Sequence, residues 1–447
     1  MQVQVGAEEP IPLKTVGPYQ ILILLIGILV LLSDGFDAQI VSFVAPALSK
    51  EWGVPKTALA EVFSGNIFGL MIGAFVIAPL ADTLGRKIVT SVCVGVFGCL
   101  SLAMLGVHSP HEAAMIRFGS GLALGGAMPC MISGTAEFLP GRLRTRLVVL
   151  LATAWSAGIA LCGLIVSAVI KTQGWRFMFG LDGTIALVSL AALVLLTPES
   201  PAFLLAKGKY DQLKTVLARI QPDLDFDPAT APAAATAAPK FPVAALFSGD
   251  LAQLTPLIWL TYFAKGASVY FFINWLTIAV NSAGYDPAQS SFAASMYQLG
   301  GLCGGFVIGY FTDRKGGAAI AVSMFLSALA IFLTGQTTAS YDLMLVAVGV
   351  TGFLVVGNMN TLHAYVSGHI YPSQVRSTGL GWAVGATRLS GAIAGSLGVA
   401  VLLKLQLGPA MTFGVIAIAE VISGFAILAA HMVARKRPSA AGDPSAA

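Results

Sequence analysis

Charged residues are scarce in this sequence. Asp, Glu, Lys and Arg make up 10% of its 447 residues, whereas soluble globular proteins carry about 25%. This excludes an ordinary soluble enzyme and a disordered protein, because so apolar a chain could not cover its surface with polar side chains. Hydrophobic residues reach 56%, which predicts a protein surrounded mainly by lipid. The net charge of +4 is too small and too dispersed to indicate a nucleic-acid partner.

Sequence motifs for enzymatic chemistry are also missing. The five cysteines lie in apolar stretches and form no C-x-x-C pair, so we expect small buried hydrophobic side chains and neither a disulfide scaffold nor a metal site. No H-E-x-x-H, G-x-S-x-G or G-x-x-x-x-G-K-[ST] sequence occurs, so we predict no enzyme and no cofactor. The N-terminus MQVQVGAEEPIPLK is polar and has two acids, unlike a cleavable signal peptide.

Long apolar runs fill most of the chain. A helix needs about 20 residues to cross a hydrocarbon core of about 30 Å, and continuous runs of this length predict helices and not strands. We therefore predict an all-α membrane protein. Its twelve transmembrane helices are expected at about 19–46, 58–81, 87–107, 112–136, 147–170, 176–196, 251–281, 289–311, 317–337, 341–366, 377–403 and 409–433.

The basic residues indicate how these helices are oriented. The loops on the side of the N-terminus hold 17 Lys or Arg residues, and the opposite loops hold 5. Because Lys and Arg concentrate in cytoplasmic loops, both termini are predicted to be cytoplasmic. An even number of helices is needed for this arrangement, which agrees with twelve.

A hydrophilic segment divides the chain into six predicted helices and six more. We predict a cytoplasmic tail at 1–18, a first six-helix half at 19–196, a cytoplasmic linker at 197–250, a second half at 251–433 and a cytoplasmic tail at 434–447. Within the linker, AFLLAKGKYDQLKTVLARI has the spacing of a surface helix, and PDLDFDPATAPAAATAAPK has the composition of a flexible segment.

The two halves repeat each other. Asp82 in PLADTLGRK and Asp313 in GYFTDRKGG are 231 residues apart, and Pro140 and Pro372 are 232 apart. Both pairs fall in equivalent loops, which indicates a duplicated six-helix unit with parallel halves. Such halves, with a site between them at mid-depth, are typical of alternating-access transporters.

These features resemble the major facilitator superfamily. The loop APLADTLGRK resembles its signature loop, with Ala78 in place of the usual leading Gly. Within the superfamily the chain resembles the aromatic acid:proton symporters. The matching segments are DGFDAQIVSFVAPAL, PESPAFLL, the G-Y-x-P-A-Q region and YPSQVRSTGLGWAVGATRLSGAIAG, and the resemblance covers nearly all of residues 19–433.

Two carboxylates in the first predicted helix are candidates for proton coupling. Asp34 and Asp37 are three residues apart and so lie on one helix face. Neighbouring carboxylates repel each other and lose hydration inside a membrane, so we expect the pair to bind protons as a unit. The alternatives are capping of a helix break at Gly35 or a static pair with an arginine. Resemblance to the superfamily also implies a coupling role for Arg117, although helix packing, helped by Gly121 and Gly125, would explain it equally well.

Two basic residues are candidates for binding the substrate anion. Arg388 lies near mid-depth of the eleventh predicted helix, and its planar guanidinium suits a carboxylate. The resemblance implies benzoate-type substrates, which are anions at neutral pH. A structural pair with Asp34, Asp37 or Glu420 is the alternative for Arg388. Lys265 occupies the repeat position of Asp34, so it is expected either to neutralise a carboxylate of the first helix or to attract the substrate.

Other polar and aromatic residues in the predicted helices are further candidates for the substrate site. In the seventh helix, aromatic side chains and an amide could stack on an aromatic ring and hydrogen-bond its hydroxyl, although helix packing would explain the same cluster. These residues are Tyr270, Phe271, Phe272, Asn274 and Trp275. His363 is a titratable candidate in the tenth helix. For His363, Glu61, Asp182 and Glu420, a structural role is the main expectation.

Charged residues at the cytoplasmic helix ends are predicted to act as a gate. Inter-helix charge pairs there would hold the inner side closed and would exchange for water on opening; the alternative is that they serve only to fix orientation. The predicted gating residues are Asp82, Gly85, Arg86, Lys87, Glu137, Arg144, Asp313, Arg314 and Arg376.

The resulting hypothesis is a secondary transporter. By resemblance it imports a hydroxybenzoate-like carboxylate with protons across the inner membrane of a bacterium, as a monomer. The fifth helix lacks the G-x-x-x-G-P-x-x-G-G pattern expected of exporters in the superfamily, which favours import. The alternatives are a transporter of another organic anion, an exporter, or a membrane sensor that does not transport.

Overall fold

The structure is a computed structural model, which describes residues 16–221, 246–249, 251–366, 370–371, 376–393 and 408–435. Within these residues the chain forms helices joined by turns and contains no β-strand, so the predicted all-α class is confirmed.

Thirteen helices of the described chain carry the argument below. They are α1 Pro18–Trp52, α2 Ala60–Val76, α3 Arg86–Ala103, α4 Pro110–Ala136, α5 Gly141–Leu196, α6 Pro201–Ala206, α7 Tyr210–Ile220, α8 Leu251–Ser282, α9 Pro287–Lys315, α10 Gly317–Gln336, α11 Tyr341–Tyr365, α12 Arg376–Ser390 and α13 Pro409–Arg435. Short helical turns occupy Lys56–Leu59, Ala78–Leu80, Ala81–Leu84 and Met104–Gly106.

Ten helices within the described ranges are long and apolar enough to cross a membrane. One of them, Thr153–Leu196, lies within α5. Helix α5 contains a break at Gly174, where φ is 72° and ψ is 179°. This break falls between the predicted spans 147–170 and 176–196. The predicted span 377–403 is described only as far as residue 393. The count of twelve therefore stays a prediction.

The chain divides into two compact units. The first comprises Met1–Ala238 with Ile273–Gln298, and the second comprises Pro239–Phe272 with Leu299–Ala447. The first unit thus includes the C-terminal end of α8 and the N-terminal part of α9, which belong by sequence to the second predicted half.

Glycines allow the helices of the first unit to approach each other closely. A Cβ atom on Gly69 would lie 2.2 Å from the carbonyl oxygen of Phe118, and one on Gly121 would lie 2.2 Å from that of Asn66. Both distances are far below van der Waals contact, so α2 and α4 meet backbone to backbone. This confirms the close packing predicted from Gly121 and Gly125. Helices α1 and α5 meet in the same way at Gly35 and Gly158.

The predicted surface helix of the linker is present as α6 and α7. Buried leucines of these helices, Leu204, Leu213 and Leu217, form one hydrophobic cluster with Ile23 of α1 and Phe138. The polar face of α7 is left exposed, as expected for an amphipathic helix lying on a larger body.

The sequence repeat has a structural counterpart at two glycines 231 residues apart. Gly85 precedes α3 with φ 106°, and Gly316 precedes α10 with φ 62°. Residues with a side chain rarely adopt these backbone angles. The same chain reversal therefore begins the third helix of each half.

Candidate functional site

A buried ion pair joins α1 to α4 in the first unit. The Nη1 atom of Arg117 donates to Asp37 Oδ1, and its Nη2 atom donates to the backbone oxygen of Asp37 at 3.1 Å. The side chains of Arg117 and Asp37 are 1% and 0% exposed. An arginine cannot lose its charge to escape this environment, so the carboxylate of Asp37 is its counter-ion.

A second carboxyl group, from α5, meets this pair. Asp182 is fully buried, its Oδ2 atom accepts a hydrogen bond from the Ser101 hydroxyl at 2.7 Å, and its carboxyl group is close enough to that of Asp37 for the two to interact electrostatically. Among the described residues no donor reaches Asp37 Oδ2 or Asp182 Oδ1. The structure therefore places two buried carboxyl groups near the single guanidinium of Arg117.

Asp34 lies one turn before Asp37 on α1 and is 5% exposed. The adjacent residue, Gly35, lies against the backbone of Trp155 in α5. Both predicted carboxylates of the first helix are thus inside the first unit. The structure brings Asp37 together with Arg117, which fits both the predicted coupling group and the alternative of a static pair with an arginine. It adds Asp182, for which a structural role was the main expectation.

A separate buried charge pair lies in the second unit. Lys265 of α8 donates from Nζ to both carboxylate oxygens of Glu420 in α13, at 2.7 and 2.9 Å. Both side chains are 0% exposed. The Ser268 hydroxyl also contacts Glu420 Oε1, and it lies 3.0 Å from the backbone oxygen of Lys265. Lys265 therefore has a carboxylate partner within its own unit.

Arg388 of α12 lies beside α8. It is half-buried and acts electrostatically on the hydroxyl of Tyr270. The preceding residue, Thr387, donates to the backbone oxygen of Tyr262 at 3.1 Å, and Gly391 leaves room for the ring of Tyr270. The two helices are thus fixed against each other around the guanidinium.

The predicted aromatic residues occupy two environments along α8. In the second unit, Phe271 and Phe272 are fully buried and make edge contacts with each other and with Phe413. In the first unit, Trp275 makes an edge contact with Phe63, with ring centroids 5.4 Å apart. Its indole N–H is buried and has no acceptor among the described residues.

The remaining predicted binding and acidic residues have local partners. Asn274 is 5% exposed. His363 is bonded through Nδ1 to the backbone oxygen of Met359 at 2.8 Å. Its ring lies edge-on to Tyr262. Glu61, by contrast, is exposed and lies 3.9 Å from His111.

A charged network ties the start of α3 to the end of α4 and the start of α6. Arg86 forms an ion pair with Glu137. The Ser200 hydroxyl and the backbone N–H of Ala202 also donate to Glu137. Burial raises the pKa of Glu137, although the positive charge of Arg86 and these hydrogen bonds act in the opposite direction. Glu137 is therefore the centre of this network.

The PESP segment contributes a second acid to the same end of the unit. The backbone N–H of Lys87 donates to Glu199 at 3.0 Å, and the Lys87 ammonium group donates to the backbone oxygen of Val194 at 2.8 Å. A Cβ on Gly85 would lie 2.4 Å from Glu199 Oε2, so the glycine is needed for this contact. The sequence reasoning missed Glu199, although PESPAFLL pointed to it.

The predicted gating residues of the second half are less connected in the described chain. Asp313 and Arg314 are exposed, and the guanidinium of Arg314 lies 4.1 Å from the ring centroid of Tyr310. The side chains of Asp82, Arg144 and Arg376 lie outside the described residues, so their gating role stays a prediction.

Comparison with known proteins gives the context for these clusters. The sequence profile described as Major Facilitator Superfamily matches residues 27–363 and 258–447. The chain is 33% identical to the gallate transporter of Pseudomonas putida, covering 95% of each chain. It is 32% identical to the 4-hydroxybenzoate transporter PcaK of Acinetobacter baylyi, covering 93% of this chain and 92% of that one.

Solved structures agree with this at the level of the fold. The inward open conformation of the xylose transporter XylE from E. coli matches with a TM-score of 0.74, at 16% identity, over 95% of this chain and 98% of that one. The nucleoside transporter NupG matches with a TM-score of 0.69 at 14% identity, over 92% and 99%. At these identities the likeness concerns the fold alone.

Proposed function

The chain belongs to the Major Facilitator Superfamily and is a multi-pass membrane transporter, and from this premise we propose that it imports a hydroxybenzoate-like carboxylate together with protons. Support for the substrate class comes from the relatives, whose names give gallate and 4-hydroxybenzoate as their substrates. Because these relatives are bacterial, we place the protein in the bacterial inner membrane. We also propose that it acts as a monomer.

The observation that supports proton coupling is the burial of two carboxyl groups, Asp37 and Asp182, near the single guanidinium of Arg117, and we propose that the two carboxyl groups share one proton. With that proton, the group of Asp37, Asp182 and Arg117 is electrically neutral; without it, the group has one net negative charge. Uncompensated charge is costly inside a protein, and a negative charge would oppose the entry of an anionic substrate. Protonation from outside therefore favours substrate binding, and release of the proton into the more alkaline cytoplasm favours substrate release.

Arg388 is the proposed contact for the substrate carboxylate. It is half-buried, whereas Lys265 and Arg117 are fully buried. Its guanidinium can bind a carboxylate through two parallel hydrogen bonds. The neighbouring Tyr270 and Phe271 on α8 offer rings for the aromatic part of the substrate.

Hydroxyl groups on the ring are proposed to meet Trp275 and Asn274. The indole N–H of Trp275 is a buried donor without an acceptor in the described residues, and such a donor costs about 1–3 kcal/mol unless a ligand satisfies it. A hydroxylated ring would supply an acceptor. His363 stays a candidate nearer Arg388, because its ring contacts that of Tyr262 on α8 and Thr387, next to Arg388, donates to the backbone oxygen of Tyr262.

The network around Glu137 is proposed to close the cytoplasmic side. Arg86, Lys87 and Glu199 join α3 to the surface helices there, and breaking these contacts would expose the groups to water. They bias the conformational equilibrium and do not contact the substrate.

The test is transport by purified protein in liposomes, with labelled 4-hydroxybenzoate as the probe. Asp37→Asn and Asp182→Asn should lower accumulation driven by a pH gradient well below that of the unaltered protein yet retain counterflow exchange, which needs no net proton movement. Asp211→Asn, at an exposed acid of α7, is the matched control. The proposal fails if Asp182→Asn still accumulates substrate against its gradient as well as this control does, or if the unaltered protein accumulates none.

A further inference from the structure

The buried pair of Lys265 and Glu420 is not used by the proton site described above, and its burial demands an explanation. Both side chains are 0% exposed, and removing two ions from water costs several kcal/mol each. An apolar pair of similar volume would often be equally stable or more stable. Stability alone therefore gives no reason to keep two charges here, and a role in the transport cycle does.

The pair occupies the repeat position of the proton site in the first unit. Lys265 and Ser268 lie 231 residues after Asp34 and Asp37, and Glu420 lies in the last helix of its half, as Asp182 does. In both units, the first helix of the half is thus joined to the last by buried polar contacts that include a carboxyl group. The first unit has two acids near one arginine, whereas the second has one acid and one lysine.

The Ser268 hydroxyl has two acceptors within reach, Glu420 and the backbone oxygen of Lys265. As a carboxylate, Glu420 receives three contacts: two from the Lys265 ammonium group and one from the Ser268 hydroxyl. The same hydroxyl lies 3.0 Å from the backbone oxygen of Lys265. When Glu420 becomes protonated, Ser268 can turn to that oxygen or accept the new O–H, so no buried donor is left without a partner.

Within the described residues, the neighbouring helix α10 supplies no substitute counter-ion for the pair. Helix α10, which packs on α13, contains no Asp, Glu, Lys, Arg or His. Helix α12, held to α8 through Thr387, contributes Arg388 near this level, and α11 contributes His363 through its contact with Tyr262. Protonation of Glu420 would therefore leave Lys265 as a net positive charge in the unit that also holds Arg388.

We propose that Glu420 is a second proton-binding site, whose protonation frees the Lys265 ammonium charge to stabilise the bound substrate anion. The inference rests on the proposed function, because it assumes that an aromatic carboxylate is carried. Each cycle then moves two protons, one at Asp37 and Asp182 and one at Glu420, with one carboxylate. The net charge carried inward is one positive charge, and each ligand increases the affinity for the others.

The experiment measures accumulation of labelled 4-hydroxybenzoate at equilibrium by purified full-length protein in liposomes. With equal pH on both sides and an inside-negative potential of 100 mV, the unaltered protein should accumulate substrate about 50-fold, because one elementary charge gains about 2.3 kcal/mol per 100 mV. At zero potential, each pH unit of gradient should give about 100-fold accumulation for two protons, against about 10-fold for one.

The key variants remove the second site and leave the first intact. Glu420→Gln leaves Lys265 buried and unpaired, which is expected to impair folding. The double variant Lys265→Met/Glu420→Gln, which buries no charge, is therefore the main test. It should lose accumulation driven by potential and fall to about 10-fold accumulation per pH unit. Asp211→Asn is the matched control and should behave as the unaltered protein does.

The outcomes separate this inference from the proposed function. Loss of the response to potential in the double variant, with pH-driven uptake retained, supports the second site. The inference is overturned, with the proposed function intact, if the unaltered protein shows about 10-fold accumulation per pH unit and no response to potential, or if the double variant keeps the 100-fold value. Absence of any proton-driven uptake by the unaltered protein overturns both.

Discussion

Replacing Arg117 by methionine, which keeps most of the bulk and removes the charge, tests whether the pair with Asp37 is an obligatory buried ion pair. Arg117 makes two hydrogen bonds to Asp37, and both side chains are at most 1% exposed. Removing one partner of such a pair costs about 3–5 kcal/mol, because the other charge stays buried. Proton uptake by Asp37 would relieve part of this cost.

The double variant Arg117→Met/Asp37→Asn isolates that cost. It removes both charges of the pair, so its unfolding free energy should lie within about 1 kcal/mol of the unaltered protein. Unfolding of the purified protein in detergent at neutral pH measures both variants. The matched control is Arg176→Met, whose ion pair with Glu51 is partly exposed and should be worth less than about 1 kcal/mol.

Two results would refute the reasoning. One is a cost for Arg117→Met no larger than that for Arg176→Met. The other is a double variant no more stable than Arg117→Met alone, because the loss would then reflect packing around the arginine and not an uncompensated carboxylate.

Three further changes test the fold and the network around Glu137. Gly69→Leu should prevent the close contact of α2 with Phe118 and abolish the yield of folded protein. Gly106→Ala is the control and should have little effect, because Gly106 has open space around it. A normal yield of folded Gly69→Leu protein would contradict the close packing of α2 on α4. Burial raises the pKa of Glu137, so the folded state binds a proton more readily than the unfolded state and the unfolding free energy should rise as the pH falls through the folded-state pKa of Glu137. Glu137→Gln should make the unfolding free energy less dependent on pH. An unchanged pH dependence in this variant would contradict the raised pKa. Asp286 accepts from the backbone N–H of Gln289 at 2.8 Å at the start of α9, so Asp286→Ala should lower the unfolding free energy by about 1 kcal/mol; a loss below about 0.3 kcal/mol would show that the cap is dispensable.

The sequence allowed most of the helices to be predicted, because an apolar run of this length has one stable form in lipid. The break at Gly174 was implied by the boundary between two predicted spans, although the structure forms it within one long helix, α5. The family could also be predicted, since its motifs depend on local residues: the loop ending in Gly85, Arg86 and Lys87 needs a glycine with φ 106°.

The partners of the buried charges could not be predicted in the same way. The offset of 231 residues related Lys265 to Asp34, but nothing along the chain shows that α8 meets α13 at Glu420. Asp182 was one acid among several in apolar runs, and its importance depends on reaching Asp37 across two helices. The pairing of these buried charges depends on packing between segments that are distant in the sequence, and helix periodicity contains little information about such packing.

The glycine contacts between α2 and α4, and between α1 and α5, limit how these helices can move. Where a carbonyl oxygen rests directly on a Cα atom, axial sliding by one residue would drive a side chain into the opposing backbone. Each of these helix pairs should therefore behave as one rigid unit. The conformational changes of transport should then displace each helix pair as a whole. Asp37 belongs to the pair of α1 and α5 and Arg117 to that of α2 and α4, so their ion pair is a link between the two helix pairs.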